Sequence, residues 1–208
     1  PATGGYWVAD ANGAVYTYGK AGFHGSAAGI HLNAPIVGIS SSQDGGGYWL
    51  VASDGGIFTY GDAHFHGSAG NLRLNRPIVG MAATPDGGGY WLVASDGGIF
   101  TYGDAHFHGS GAAGPLGSPV VGMAATADGG GYWLFEADGQ VLPFGDAPAY
   151  GSATAAQLDG TVVATGPSVD HLGYRLVSST GRVVGFGDAP SYGTVATSDG
   201  RPVGIAAA

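Results

Sequence analysis

Two identical stretches carry the residue types that could do chemistry. Asp62-Ala63-His64-Phe65-His66 returns unchanged as Asp104-Ala105-His106-Phe107-His108. In an extended chain the aspartate and both histidines share a face, and a carboxylate beside imidazoles is a ligand set for zinc or another divalent ion. Equivalent positions elsewhere in the chain argue against a metal. The second histidine is replaced by Tyr150 and Tyr192, and the first by Gly22, Pro148 and Pro190. A position that accepts histidine or tyrosine asks for a ring with a polar tip, not for a lone pair. The sequence therefore predicts no metal site and no cofactor. It offers these side chains instead as a binding pocket: Asp54, Tyr60, Asp62, His64 and His66, with Asp96, Tyr102, Asp104, His106 and His108 as the second copy. Aromatic rings would cover sugar faces while Asp and His supply hydrogen bonds.

Two acids break the pattern of the chain. Asp10 and Glu136 occupy one slot that holds Ala52, Ala94 and Ser178 elsewhere. Paired carboxylates are what glycoside hydrolysis needs, so these two are the candidates for a catalytic pair. The other acids sit in turns. Asp54, Asp96 and Asp138 fall in hairpin turns, and Asp62, Asp104, Asp146 and Asp188 fall in Gly-Asp-Ala bends, where aspartate commonly bonds its own backbone. No Ser-His-Asp constellation stands apart from the repeated positions. The leading expectation is a protein without catalytic residues.

All of these residues belong to a repeating unit that must position them. Its anchor is a Gly-Tyr pair whose tyrosines, Tyr6, Tyr48, Tyr90, Tyr132 and Tyr174, recur at steps of 42 residues. Asp44–Ser68 is identical to Asp86–Ser110. Within a unit, Pro77–Ala83 reads as an extended run of small and apolar residues, Asp86–Gly89 as a hairpin turn, and Tyr90–Ala94 as a strand of types that suit a pleated surface. Ser95–Gly98 is the next turn, Ile99–Tyr102 a third strand, and His106-Phe107-His108 a short fourth. No stretch has the pattern of an amphipathic helix. Short antiparallel strands repeating every 40-odd residues are the mark of a propeller blade.

The fold class expected is therefore all-β, a five-bladed β-propeller. Its blades are residues 1–34 with 202–208, then 35–76, 77–118, 119–160 and 161–201. Pro202–Ala208 matches the first strand of a unit, so it is expected to complete the N-terminal blade and to remove open sheet edges. The tryptophans Trp7, Trp49, Trp91 and Trp133 lie on the second strand, sharing a face with the valines. Core packing is their expected role, with a sugar-stacking platform as the alternative.

Composition narrows the partners. The net charge is −9 with only six Lys and Arg, too few for a phosphate-binding patch, so nucleic acid is not expected. No apolar run approaches the length of a membrane span, and no cysteine is present to form a disulfide or a thiolate site.

The run from Gly87 through Ala105, followed by His108-Gly109-Ser110, together with Pro77–Thr84, resembles the actinobacterial secreted repeat proteins. The resemblance covers essentially the whole chain. It implies export to the cell surface or medium, and arrays that stand alone or beside peptidase, amidase or glycosidase domains. No catalytic residue is carried over from it. The last two copies depart from the motif, with Arg175 in the Trp slot and Pro143 or Gly185 in the Thr slot. The functional reading is a non-catalytic, exported binding or scaffold module engaging glycan or another cell-envelope polymer at several similar sites. Five-bladed sugar-binding propellers of the tachylectin type are an analogy of architecture. The alternatives are a protein-interaction or spacer domain accompanying a secreted hydrolase, and a glycosidase using Asp10 and Glu136.

Overall fold

A computed structural model describes residues 4–168 and 170–191. The strands are β1 (Gly5–Ala9), β2 (Val15–Gly19), β3 (Ile36–Ser41), β4 (Gly47–Ala52), β5 (Ile57–Gly61), β6 (Ile78–Ala83), β7 (Gly89–Ala94), β8 (Ile99–Gly103), β9 (Val120–Ala125), β10 (Gly131–Glu136), β11 (Val141–Gly145), β12 (Val162–Pro167), β13 (Gly173–Ser178) and β14 (Val183–Gly187). Among the described residues they form five antiparallel sheets. The first pairs β1 with β2, and the others are the triplets β3-β4-β5, β6-β7-β8, β9-β10-β11 and β12-β13-β14. The fold is a five-bladed β-propeller, as the repeat predicts. The closing strand expected at Pro202–Ala208 lies outside the described residues.

The chain divides into two compact units. One carries β1 to β8, and the other carries β9 to β14 with the Asp96–Gly98 turn. Within each unit the central strands are buried on both faces, because tyrosine and leucine alternate with tryptophan and valine. In β4 every residue is buried. Tyr48 and Leu50 pack with Val15, Ala27 and Trp7 of the preceding sheet. Trp49 and Val51 pack with Ile78, Met81, Tyr90 and Leu92 of the following one. Each fully buried Leu or Val contributes about 1.5–3 kcal/mol before entropy is counted. In the second unit Trp133 and Phe135 meet Tyr174 in the same way, at ring-centroid distances of 5.6 and 5.2 Å. Burial there pushes the Tyr174 hydroxyl up to about 12.

Each first strand of the triplets carries a bulge. The register slips between Ile36 and Gly38, and likewise between Ile78 and Gly80 and between Val162 and Ala164, leaving one valine unpaired each time.

One local expectation is corrected. The predicted fourth strand at His106-Phe107-His108 does not form, and residues 105–110 carry no strand. In the equivalent stretch around His64–Gly67, backbone groups are taken by side chains and not by a ladder. The indole N–H of Trp49 donates to the His64 carbonyl, and the Tyr90 hydroxyl bridges His66 N–H and the Gly67 carbonyl. The described residues also contain two short helical turns in the connections, a 3-10 turn at Gly111–Ala113 capped by Ser110 and α1 (Ala155–Leu158), set by a capping box between Thr154 and Gln157. A Thr three residues ahead of a Gln is the signal that could have found α1.

Candidate functional site

The repeated bend after the third strand is built around one bond. In all five sheets the side chain in the Trp slot donates to a backbone carbonyl fifteen residues on. Trp7 reaches Gly22 at 2.7 Å, Trp49 reaches His64 at 2.7 Å, Trp91 reaches His106 at 2.7 Å and Trp133 reaches Pro148 at 2.8 Å. Arg175 does the same with Nε, to Pro190 at 3.0 Å. Arginine can stand in for tryptophan because both offer an N–H from a flat group. Trp49, Trp91 and Trp133 are at most 1% exposed, so they form core and not a sugar platform.

The second histidine of the segment is a strut to the next sheet. His66 Nε2 lies 3.1 Å from the Gly87 carbonyl in the hairpin turn of the following sheet, and its ring meets Tyr90 edge-on at 5.6 Å. His24 and His108 make the same bond, to Gly45 at 3.2 Å and Gly129 at 3.1 Å. A carbonyl only accepts, so Nε2 carries the proton. At the equivalent position Tyr150 packs against Trp133 and Tyr174 at 5.9 and 6.0 Å. The slot asks for a ring, as its His-or-Tyr content implies. Among the described residues no three His, Asp or Glu side chains converge on a point where a metal could sit.

Asp62 and Asp104 are exposed and lie beside a second turn acid. The Thr84 hydroxyl is 2.9 Å from Asp86 and 3.0 Å from Asp104, while its oxygen accepts the Gly89 N–H at 2.9 Å. Asp86 is held below the ordinary aspartate range first by the Gly88 N–H and then by Thr84. Asp44 is held down in the same way by Gly46 and Ser42.

The proposed pocket is not assembled as one constellation. Tyr60 is half-buried: its ring lies tilted beside Tyr48 at 5.7 Å and covers Gly25, where an added Cβ would lie 2.5 Å from the ring. Tyr102 repeats this over Gly67 and Tyr90. Asp54 belongs to the opposite end of its sheet. The β4–β5 register places Gly47 opposite Gly61 next to the Asp62 bend, whereas Val51 opposite Ile57 leads into the Asp54 turn. There Asp54 accepts the Gly56 N–H at 2.9 Å and borders a shallow cleft of about 320 Å³ with Leu72, Leu74 and Arg76. Asp96 has the same turn bond, to Gly98 at 3.1 Å. Sequence reasoning grouped these residues by repeat position and missed that a hairpin sends its turn to the far end.

What remains together at the bend is Asp62, His64 and Phe65, and in the next sheet Asp104, His106 and Phe107, all exposed. The sequence reading gives the phenylalanines no binding role, yet Phe65 and Phe107 are 60 and 61% exposed, and Phe23, in the bend after β2, is 61% exposed. The signal available in the sequence was their replacement by Ala149 and Ser191, since a core ring is not exchanged for serine.

The irregular acids each accept from backbone N–H groups, Asp10 within its own turn and Glu136 from a residue eighteen positions back. Asp10 Oδ1 accepts the N–H groups of Asn12 and Ala14 at 2.9 and 3.0 Å. Glu136 is 2% exposed, and its Oε2 accepts the Ser118 N–H at 2.9 Å.

No family model matches the chain, and no curated protein matches it. Among solved structures it is similar to the β-propeller domain of Cps50 (Swd1) from Myceliophteria thermophila, with a TM-score of 0.52 and 11% identity over 80% of this chain. The match spans 59% of that chain. At this identity the likeness speaks to the fold alone. No helix among the described residues is long and apolar enough to cross a membrane.

Proposed function

We propose that this propeller is a non-catalytic binding module that is exported, as its likeness to actinobacterial secreted repeat proteins implies, and that engages a glycan polymer of the cell envelope. The observation that carries this reading is the repeated bend. The 25 identical residues Asp44–Ser68 and Asp86–Ser110 present the same exposed Asp, His and Phe side chains twice, on bends fastened by the Trp-to-carbonyl bond. Exposed carboxylate and imidazole groups can bond sugar hydroxyls, and two like sites on one body gain avidity on a repeating ligand without further contacts. The negative net charge turns the module away from polyanions.

The test is isothermal titration of the whole chain with soluble envelope polysaccharides. Binding to polymer that is far tighter than to its monosaccharide supports the module. Absence of heat with every polysaccharide would favour a spacer or protein-interaction role beside a secreted hydrolase. Turnover of aryl glycosides, lost in Glu136→Gln, would instead assign a glycosidase.

A further inference from the structure

We infer that Phe23, Phe65 and Phe107 are the ligand-contacting platforms of this module, two like sites at Phe65 and Phe107 and a third with a different rim at Phe23, that each receive the flat face of a neutral hexopyranose from one repeating polysaccharide. The inference rests on the glycan-binding reading above and adds to it the residue, the number of sites and the charge of the sugar.

The rings have no role in the fold that would explain them. Each is about three-fifths exposed, while the residues on either side are engaged in the bend: Trp49 bonds the His64 carbonyl, and His66 bonds Gly87. The same bend closes with Ala149 in place of the ring, and with Ser191, whose hydroxyl donates to the Val183 carbonyl at 2.8 Å. A large apolar ring held in water at one position of three sheets is a cost to solubility with no return in packing. Tryptophan cannot serve in its place, since Trp49 and Trp91 are buried. The tyrosines of the central strands cannot either, since Tyr48 and Tyr90 are fully buried.

The surroundings select the ligand. A pyranose offers one apolar face of C–H groups, which suits an aromatic ring, and a rim of hydroxyls for Asp62 and His64 or Asp104 and His106. No Lys or Arg lies within Asp62–His66 or Asp104–His108 to pair with an acidic sugar, and the chain carries −9 overall. In the first sheet Lys20 takes the Asp slot and Gly22 the first His slot, so Phe23 keeps the platform with a poorer rim. All three rings belong to the first compact unit, one per sheet, which suits a ligand that itself repeats.

The experiment is titration of the intact chain with dextran, mannan and galactan, with dextran sulfate as the polyanionic comparison. It uses wild type, Phe65→Ala, Phe65→Ala/Phe107→Ala and the triple variant with Phe23→Ala. Ala149 shows that the bend accepts this change, so melting temperatures should stay at the wild-type value and certify folding. Expected is binding to a neutral polymer that weakens about tenfold per ring removed and is lost in the triple variant. Wild-type binding that survives in the triple variant overturns the platform assignment and leaves the glycan module standing. Tighter binding to dextran sulfate overturns the neutral-sugar assignment. Binding to none of the four polymers overturns both readings and gives the exposed rings to a protein partner.

Discussion

The β3–β8 region and the β9–β14 region build the same blades from different residues, and the differences separate bond from side chain. In β4 and β7 the Trp slot is tryptophan, whereas in β13 it is Arg175, yet the N–H to the carbonyl is kept. The strut to the next sheet is His66 in one region and the ring of Tyr150 in the other. Thr59 and Thr101 become Pro143 and Gly185, which strands at the end of a sheet tolerate. What the two regions share is therefore a set of donors and rings at fixed places. What they do not share is the exposed pair of side chains at the bend, His64 and Phe65, which become Pro148 and Ala149 without a stand-in.

The largest effect should come from the Trp slot. Trp49→Ala removes a buried ring and its donor, and denaturant unfolding should show a loss of about 3–5 kcal/mol. Trp49→Phe keeps most of the bulk and leaves the His64 carbonyl without its donor, so about 1–2 kcal/mol is expected. A Phe variant as stable as wild type would break the claim that Arg175 is tolerated for its N–H. Next is the glycine beneath the third-strand ring. In Gly67→Ala the new Cβ would sit 2.5 Å from Tyr102 at φ +132°, and a loss of about 1–3 kcal/mol is expected. Gly151→Ala has the same left-handed backbone at φ +119° but 3.3 Å to Phe186, so it should lose less. Equal losses would show that backbone strain alone, not the ring, fixes this glycine.

The architecture was legible because a period of 42 residues with alternating Tyr-Trp-Leu-Val can bury both faces only when similar sheets stack on it. The bends were half legible. Replacement of His by Tyr correctly pointed to a ring with a polar tip, but the carbonyls it and Trp49 would meet belong to residues 21 and 15 positions away. The first contact is set by the stacking of one blade on the next and the second by the fold-back of the bend over its own sheet, and local pattern encodes neither. The candidate pocket failed for a simpler reason. Asp54 and Asp62 are eight residues apart in a hairpin, and the strand between them carries them to opposite ends of the sheet.

A smaller effect is expected at the strut. His66→Ala removes a packed ring and its bond to Gly87, and should cost about 1 kcal/mol. His66→Tyr should stay within about 0.5 kcal/mol of wild type, because Tyr150 already fills the slot in the other region. Chelator should leave the melting temperature unchanged. A large loss in His66→Tyr, with zinc found in the protein as purified, would restore a metal role to these histidines.

The smallest effect lies in the turn acids, where the two regions differ in cause. Asp44, Asp86 and Asp128 are held below 3.8 chiefly by the N–H of Gly46, Gly88 and Gly130. In the last sheet Leu172 stands in that glycine position, its N–H reaches Asp170 at 3.2 Å, and the Ser168 hydroxyl becomes the leading cause. A carboxyl whose folded value is lowered stabilises the fold fully above its unfolded value, here near 3.8. That contribution is lost as pH falls through 3.8 to the folded value. These groups are fully exposed, so the change should be a modest shift of the acid limb of the melting curve, weaker in high salt. Carbon-detected titration should place all four midpoints below 3.8. Thr84→Val should raise Asp86 only part of the way, since its glycine N–H remains, whereas Ser168→Ala should raise Asp170 further. If the two substitutions move their acids equally, the glycine turn and the leucine turn hold their carboxylates by the same bond, and the difference between the regions does not extend to this position.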